Sequence, residues 1–181
     1  MKKNILWITR TAVLLALLVV LQWLTKPWGQ LVTGSCVNGV LAIAALFGGV
    51  SCGLTVALVS PVCAYLFGIA PQILTVPVIM LGNAAFVAIL GFGGGADKPL
   101  WRNGLGWVIG AAGKFIILYI LVKYGICGIL AEGLMAQGLL KGPMLTALPA
   151  TFGATQLVTA LIGGGVALAM LPVLKKAIKR N

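Results

Sequence analysis

Long apolar runs, broken by glycine, proline and clustered charge, divide the chain into six spans. They run Ile5–Leu24, Cys36–Val50, Gly53–Phe67, Leu74–Phe92, Leu105–Val122 and Leu148–Leu171. Roughly 20 consecutive apolar residues suffice to carry a helix across the hydrocarbon core of a bilayer. The pattern therefore predicts an all-α integral membrane protein of six transmembrane helices, a single domain over residues 1–181. The second and third spans are short and nearly meet at Gly48-Gly49, which reads as tilted helices or helices shielded by their neighbours. The first span opens on Met1-Lys2-Lys3 as a signal peptide does. Its length, the early Arg10 and the lack of a small-x-small site after Gln22-Trp23-Leu24 favour a retained helix.

Composition strengthens this picture. Of 181 residues, 61% are hydrophobic and 8% charged, against about 25% charged in a soluble domain. Mean hydropathy is +1.12. The net charge of +11 raises the question of nucleic acid. However, the cations sit at the termini and in one short loop, with no basic stripe interleaved with aromatics, so a nucleic-acid role is excluded. The same cations orient the bundle. With the N-terminus inside, Lys2, Lys3, Arg10, Lys98, Arg102, Lys175, Lys176, Lys179 and Arg180 fall on the cytoplasmic side, and Lys26, Lys123 and Lys141 outside. That bias predicts two cytoplasmic termini and a multi-pass protein of the plasma membrane.

The outer connections, Lys26 to Ser35 and Tyr124 to Pro149, are long enough to fold over a site, and the second carries Glu132 on a short interfacial helix. The inner stretch Gly91 to Gly95 before Asp97-Lys98-Pro99 reads as a flexible turn.

Little catalytic chemistry is available. The chain has no histidine, only Asp97 and Glu132 as acids, and four cysteines (Cys36, Cys52, Cys63, Cys127) without a Cys-x-x-Cys spacing. These facts argue against a metal site, a resident cofactor and an enzyme, and read the thiols as packing groups. Gly113-Lys114 is not a phosphate-binding loop, because Val108 and Phe115 occupy the positions that would need glycine and Ser/Thr.

Lys114 is the most informative residue. It lies about eight residues from either end of the fifth span, roughly 12 Å at 1.5 Å per residue, too deep to snorkel easily. An ammonium there calls for a cavity or a partner. Asn83 and Gln156 come to a similar depth in the fourth and sixth spans, as binding groups or as glue between helices. Pro61, Pro71, Pro77 and Pro149 mark where backbone can open around a cavity. Gly82 would let a second backbone or a ligand approach Asn83. Gly49-x-x-x-Gly53 and Gly106-x-x-x-Gly110 read as packing faces.

In length, span number and orientation, the chain resembles the S components of energy-coupling factor (ECF) transporters, the small membrane subunits that capture vitamins. The sharpest local match is Ala12-Val13-Leu14-Leu15-Ala16, which fits that family's Ala-x-x-x-Ala pattern in the first helix. The resemblance implies that Ala12 and Ala16 dock on a transmembrane coupling subunit served by two ATPase subunits. It implies an outward pocket holding Lys114, Asn83 and Gln156, with Trp28 and Gln30 in the gate above it. It also implies a vitamin-like small-molecule substrate: pantothenate, lipoate and niacin suit the lysine, and riboflavin, pyridoxine and cobalamin stay open. The N-terminal histidine of the cobalt and nickel branch is missing, which argues against a metal substrate. Two other classes compete. A self-sufficient secondary transporter would show buried acids or half-repeats. A structural or assembly protein would satisfy Lys114 with backbone carbonyls.

Overall fold

A computed structural model describes residues 2–69 and 72–179. Every regular element in it is helical. Helix α1 spans Lys2–Thr25, α2 Gln30–Ile43, α3 Val50–Leu66, α4 Val76–Gly93, α5 Leu100–Ile120, α6 Ala131–Ala136, α7 Met144–Phe152 and α8 Ala154–Lys179. Two of them run on in wider turns with i→i+5 bonding, α2 through Ala44–Gly48 and α5 through Leu121–Ile129. Five stretches are long and apolar enough to cross a membrane: Asn4–Trp28, Gln30–Gly48, Ile73–Gly93, Leu100–Ile129 and Met144–Lys176. Val50–Leu66 is a shorter apolar helix. The architecture is that of an all-helical transmembrane protein.

Glycine and proline set the corners. Gly29 and Gly49 both have φ 84, a conformation that side-chain-bearing residues rarely adopt, and they stand immediately before α2 and α3. Gly49 is therefore a corner residue with open space around it, and only Gly53 of that pair packs closely, against Val87 and Ala45. Pro77 in the first turn of α4 and Pro99 just before α5 fit positions where no helical N–H is lost.

Two apolar cores hold the helices. The larger joins Leu18, Leu41, Val56, Phe86, Leu90, Ala160 and Leu171 from α1, α2, α3, α4 and α8. The smaller gathers Val78, Leu118, Val122, Ile126, Leu140, Leu148 and Phe152, fastening the segment after α5 and helix α7 over one end of the bundle.

Close helix crossings depend on missing side chains. A Cβ on Gly110 of α5 would lie 3.1 Å from the Phe86 carbonyl of α4, and one on Gly106 would lie 3.5 Å from Leu90. A Cβ on Gly163 of α8 would lie 2.6 Å from the Gly39 nitrogen of α2. Small residues at such crossings let backbones meet where lipid offers no hydrophobic drive.

The structure revises several expectations. Helix α2 starts at Gln30, so the outer connection expected over Lys26 to Ser35 shrinks to a tight Lys26–Trp28 turn and Gly29. Lys26 holds that turn down by donating from Nζ to the Gly68 carbonyl at 2.6 Å. The second span is consequently a full-length stretch of 19 residues, and only the third is short. The sixth is broken between α7 and α8 at Gly153, where a Cβ would lie 2.6 Å from the Pro149 carbonyl. The long connection over Tyr124 to Pro149 is mostly helical and includes α6 with Glu132. The Gly91 to Gly95 stretch is pinned: Gly95 N–H donates to Asn103 Oδ1 at 2.9 Å, and Asn103 Nδ2 donates to the Gly95 carbonyl at 3.2 Å. Ala96 N–H also donates to the Leu46 carbonyl at 2.9 Å.

Candidate functional site

The α4–α5 and α2–α8 crossings bring polar side chains together. About one turn beyond Gly110, α5 presents Lys114; about one turn before Phe86, α4 presents Asn83. Lys114 Nζ donates to Asn83 Oδ1 at 2.7 Å and to Asn38 Oδ1 at 2.6 Å. All three residues are buried, Asn38 wholly so. Asn38 stands next to Gly39, so the crossing that seats Gly39 on Gly163 also carries it to α8.

The orientation of Asn38 is fixed by a chain of donors. The Thr159 hydroxyl donates to the Gln156 carbonyl at 3.1 Å. Its oxygen then accepts from Asn38 Nδ2 at 3.2 Å. The remaining end of the amide, Oδ1, is left facing the lysine. A hydroxyl has one proton to give, so its commitment to Gln156 sets the direction of the whole chain.

This cluster is the floor of a cavity of about 270 Å³. Lys114, Asn38, Asn83 and Gln156 line it, as do Gln22, Gln30, Thr33 and Gln72. Its walls include Val37, Ala64, Ile79, Met144, Leu148 and Phe152. An apolar cavity with a few convergent polar groups is the usual form of a small-molecule site. It occupies the end of the bundle where α1 and α3 finish and α2, α4 and α8 begin. The break at Gly153 lies between two lining residues, Phe152 and Gln156.

Among the described residues no carboxylate lines the cavity. The two acids of the chain, Asp97 and Glu132, are both exposed, in the α4–α5 turn and in α6. Among the described residues Lys114 thus has two amide oxygens as partners and no acidic one.

Lys114 and Asn83, singled out in the sequence by depth, are in direct contact. Gln156 faces the cavity with its side chain and joins the lysine cluster through its backbone carbonyl. Gln30 lines the mouth. Trp28 is 70% exposed and is not brought to the cavity. Gly82 admits neither a backbone nor a ligand: Leu118 packs over it, with a Cβ there 2.7 Å from Leu118 Cγ. Pro61 lines the cavity, Pro77 serves the α4 start, and Pro71 lies outside the described residues. Ala12 and Ala16 are exposed on α1.

Asn38, Thr159, Gln22, Thr33 and Gln72 were missed in the sequence. Asn38 carried a usable signal, since it is an amide inside the second apolar span, as Asn83 is in the fourth. Gln22 is likewise an amide inside the first. Thr33 fell within the connection Lys26 to Ser35 without being singled out, and Gln72, between two apolar spans, carried no signal. No family model matches the chain, and no curated protein or solved structure matches it significantly.

Proposed function

We propose that this chain is the substrate-capture subunit of an ECF-type importer in a bacterial plasma membrane. In this reading six helices span the bilayer with both termini cytoplasmic. The cavity opens outward and takes a vitamin or similar micronutrient bearing a carboxylate or phosphate. The loaded subunit then docks through Ala12 and Ala16 on a coupling subunit whose ATPases supply the energy.

The observation that carries the proposal is the buried amino group of Lys114 at the floor of a cavity that no carboxylate lines among the described residues. An ammonium removed from water is costly unless it is paired. Asn38 and Asn83 supply dipoles, and an anionic ligand supplies the missing charge. Such charge-assisted bonds are the stronger kind, at about 1.5–3 kcal/mol.

The remaining geometry is consistent. Arg10, Lys98, Arg102, Lys175 and Lys176 lie in the N-terminal part of α1, the α4–α5 connection, the start of α5 and the end of α8, toward the end of the bundle opposite the cavity, so a cytoplasmic excess of cations turns the cavity mouth outward. Helix α1 is the least enclosed of the long helices, with 11% of its apolar window buried, and it bears Ala12 and Ala16 on an open face.

The test is thermal unfolding of the detergent-purified protein against a panel of water-soluble vitamins and their uncharged analogues. An acid-bearing ligand should stabilise the wild type, its uncharged analogue should not, and Lys114→Met should remove the effect. A panel in which no anionic compound stabilises the protein, or in which Lys114→Met responds like wild type, overturns the proposal.

A further inference from the structure

A second layer of polar atoms stands above the lysine. Among the described residues, four buried side-chain polar atoms have no hydrogen-bond partner: Gln22 Oε1, Thr33 Oγ1, Gln72 Oε1 and Ser60 Oγ. Three of them belong to residues that line the same cavity, and Ser60 does not. Gln22 is 9% exposed, and an amide shut away from water without a partner is destabilising. Chance does not readily place three such atoms on three separate segments around one space: the end of α1, the first turn of α2 and the approach to α4.

The height of Thr33 above the floor follows from helix geometry. Thr33 and Asn38 share α2, and five residues at 1.5 Å each put Thr33 about 7.5 Å nearer the mouth. Between the two layers the walls include the apolar Val37, Ile79 and Phe152, beside Gln156. The cavity thus carries polar groups toward both ends with apolar surface between them, and a cation at only one end.

We infer that the ligand is a two-ended molecule: an anionic oxygen on Lys114, a short apolar middle, and hydroxyl or amide groups about 7.5 Å away that bond Gln22, Thr33 and Gln72. Hydroxyls and amides both give and accept hydrogen bonds, so they satisfy carboxamide and hydroxyl partners together. Purely aliphatic acids leave that layer unpaired. This inference rests on the anionic-ligand reading above and adds the chemistry of the opposite end.

The test compares three probes of matched length, hexanoate, 6-hydroxyhexanoate and 1,6-hexanediol, by equilibrium binding to the full chain in nanodiscs. The hydroxy acid should bind about tenfold more tightly than hexanoate, the factor for one hydrogen bond otherwise left unmade. The diol should bind least. Gln22→Leu and Thr33→Val, each close in size to the residue replaced, should each shrink the preference for the hydroxy acid over hexanoate. Equal binding of the two acids that Lys114→Met abolishes would overturn this inference alone. A preference that survives both Gln22→Leu and Thr33→Val would do the same. Failure of both acids to bind would overturn the anionic-ligand reading, and this inference with it.

Discussion

Lys114 of α5 donates a 2.6 Å hydrogen bond to Asn38 Oδ1 of α2, and Asn38 in turn is held by Thr159 of α8. One ammonium thereby ties three helices that are far apart in the chain, and Asn83 adds α4. The cluster works in two ways at once. It satisfies polar groups deep in an apolar bundle, and it presents a cation to the cavity.

Those two roles separate when a counter-charge is built into the protein. Asn83→Asp places a carboxylate on the lysine and forms an internal ion pair. Ligand-free thermal stability should rise, and affinity for an anionic ligand should fall by about tenfold or more, the loss of a charge-assisted bond. Titration calorimetry together with thermal unfolding reads both. Were Asn83 and Lys114 only glue between helices, stability would change and affinity would not.

Thr159→Val keeps the shape and removes the hydroxyl that orients Asn38. Asn38 Nδ2 then loses its acceptor, and the amide is free to turn its nitrogen toward the lysine. Affinity for the anionic ligand should drop about three- to tenfold, on the order of one neutral hydrogen bond, although Thr159 is not among the cavity-lining residues. Equilibrium binding checks this, with hydrogen exchange confirming that the α2–α8 contact persists.

Gly163→Ala should be severe. The added Cβ would press on the Ser35 carbonyl and sit 2.6 Å from the Gly39 nitrogen, both backbone atoms of α2. Overpacking of this kind destabilises by about 1–3 kcal/mol, and here it also moves Asn38. A lower unfolding temperature and weaker ligand binding are expected together.

The outer face of α1 gives the opposite separation. Ala12→Trp and Ala16→Trp add bulk to exposed positions, so ligand binding should stay within about twofold of wild type, as for most exposed substitutions. Recovery of the coupling subunit on co-purification should be lost. Unchanged recovery would sink the docking assignment.

Much of the fold was legible because lipid leaves a strong signature: the apolar runs located all the long helices, and the lone deep lysine pointed to the cavity. What escaped depended on contacts between distant segments. The true start of α2 at Gln30 was hidden because Gln30, Thr33 and Ser35 read as a polar loop, whereas each faces a neighbouring helix, its own backbone or the cavity. The break at Gly153 sits inside a continuous apolar run, so hydropathy passes over it. Asn38 needed the glycine crossing of α2 and α8 to acquire meaning. Trp28 was drawn into the site by its place in an expected gate, and that gate contracts to a turn in the structure.

The most direct measurement is a crystal or cryo-EM structure of the protein saturated with the anionic compound that stabilises it most. The account predicts that compound in the cavity between α2, α4, α5 and α8, with a carboxylate or phosphate oxygen within about 3 Å of Lys114 Nζ. A ligand bound elsewhere, or one in the cavity whose acidic group points away from Lys114, would contradict it.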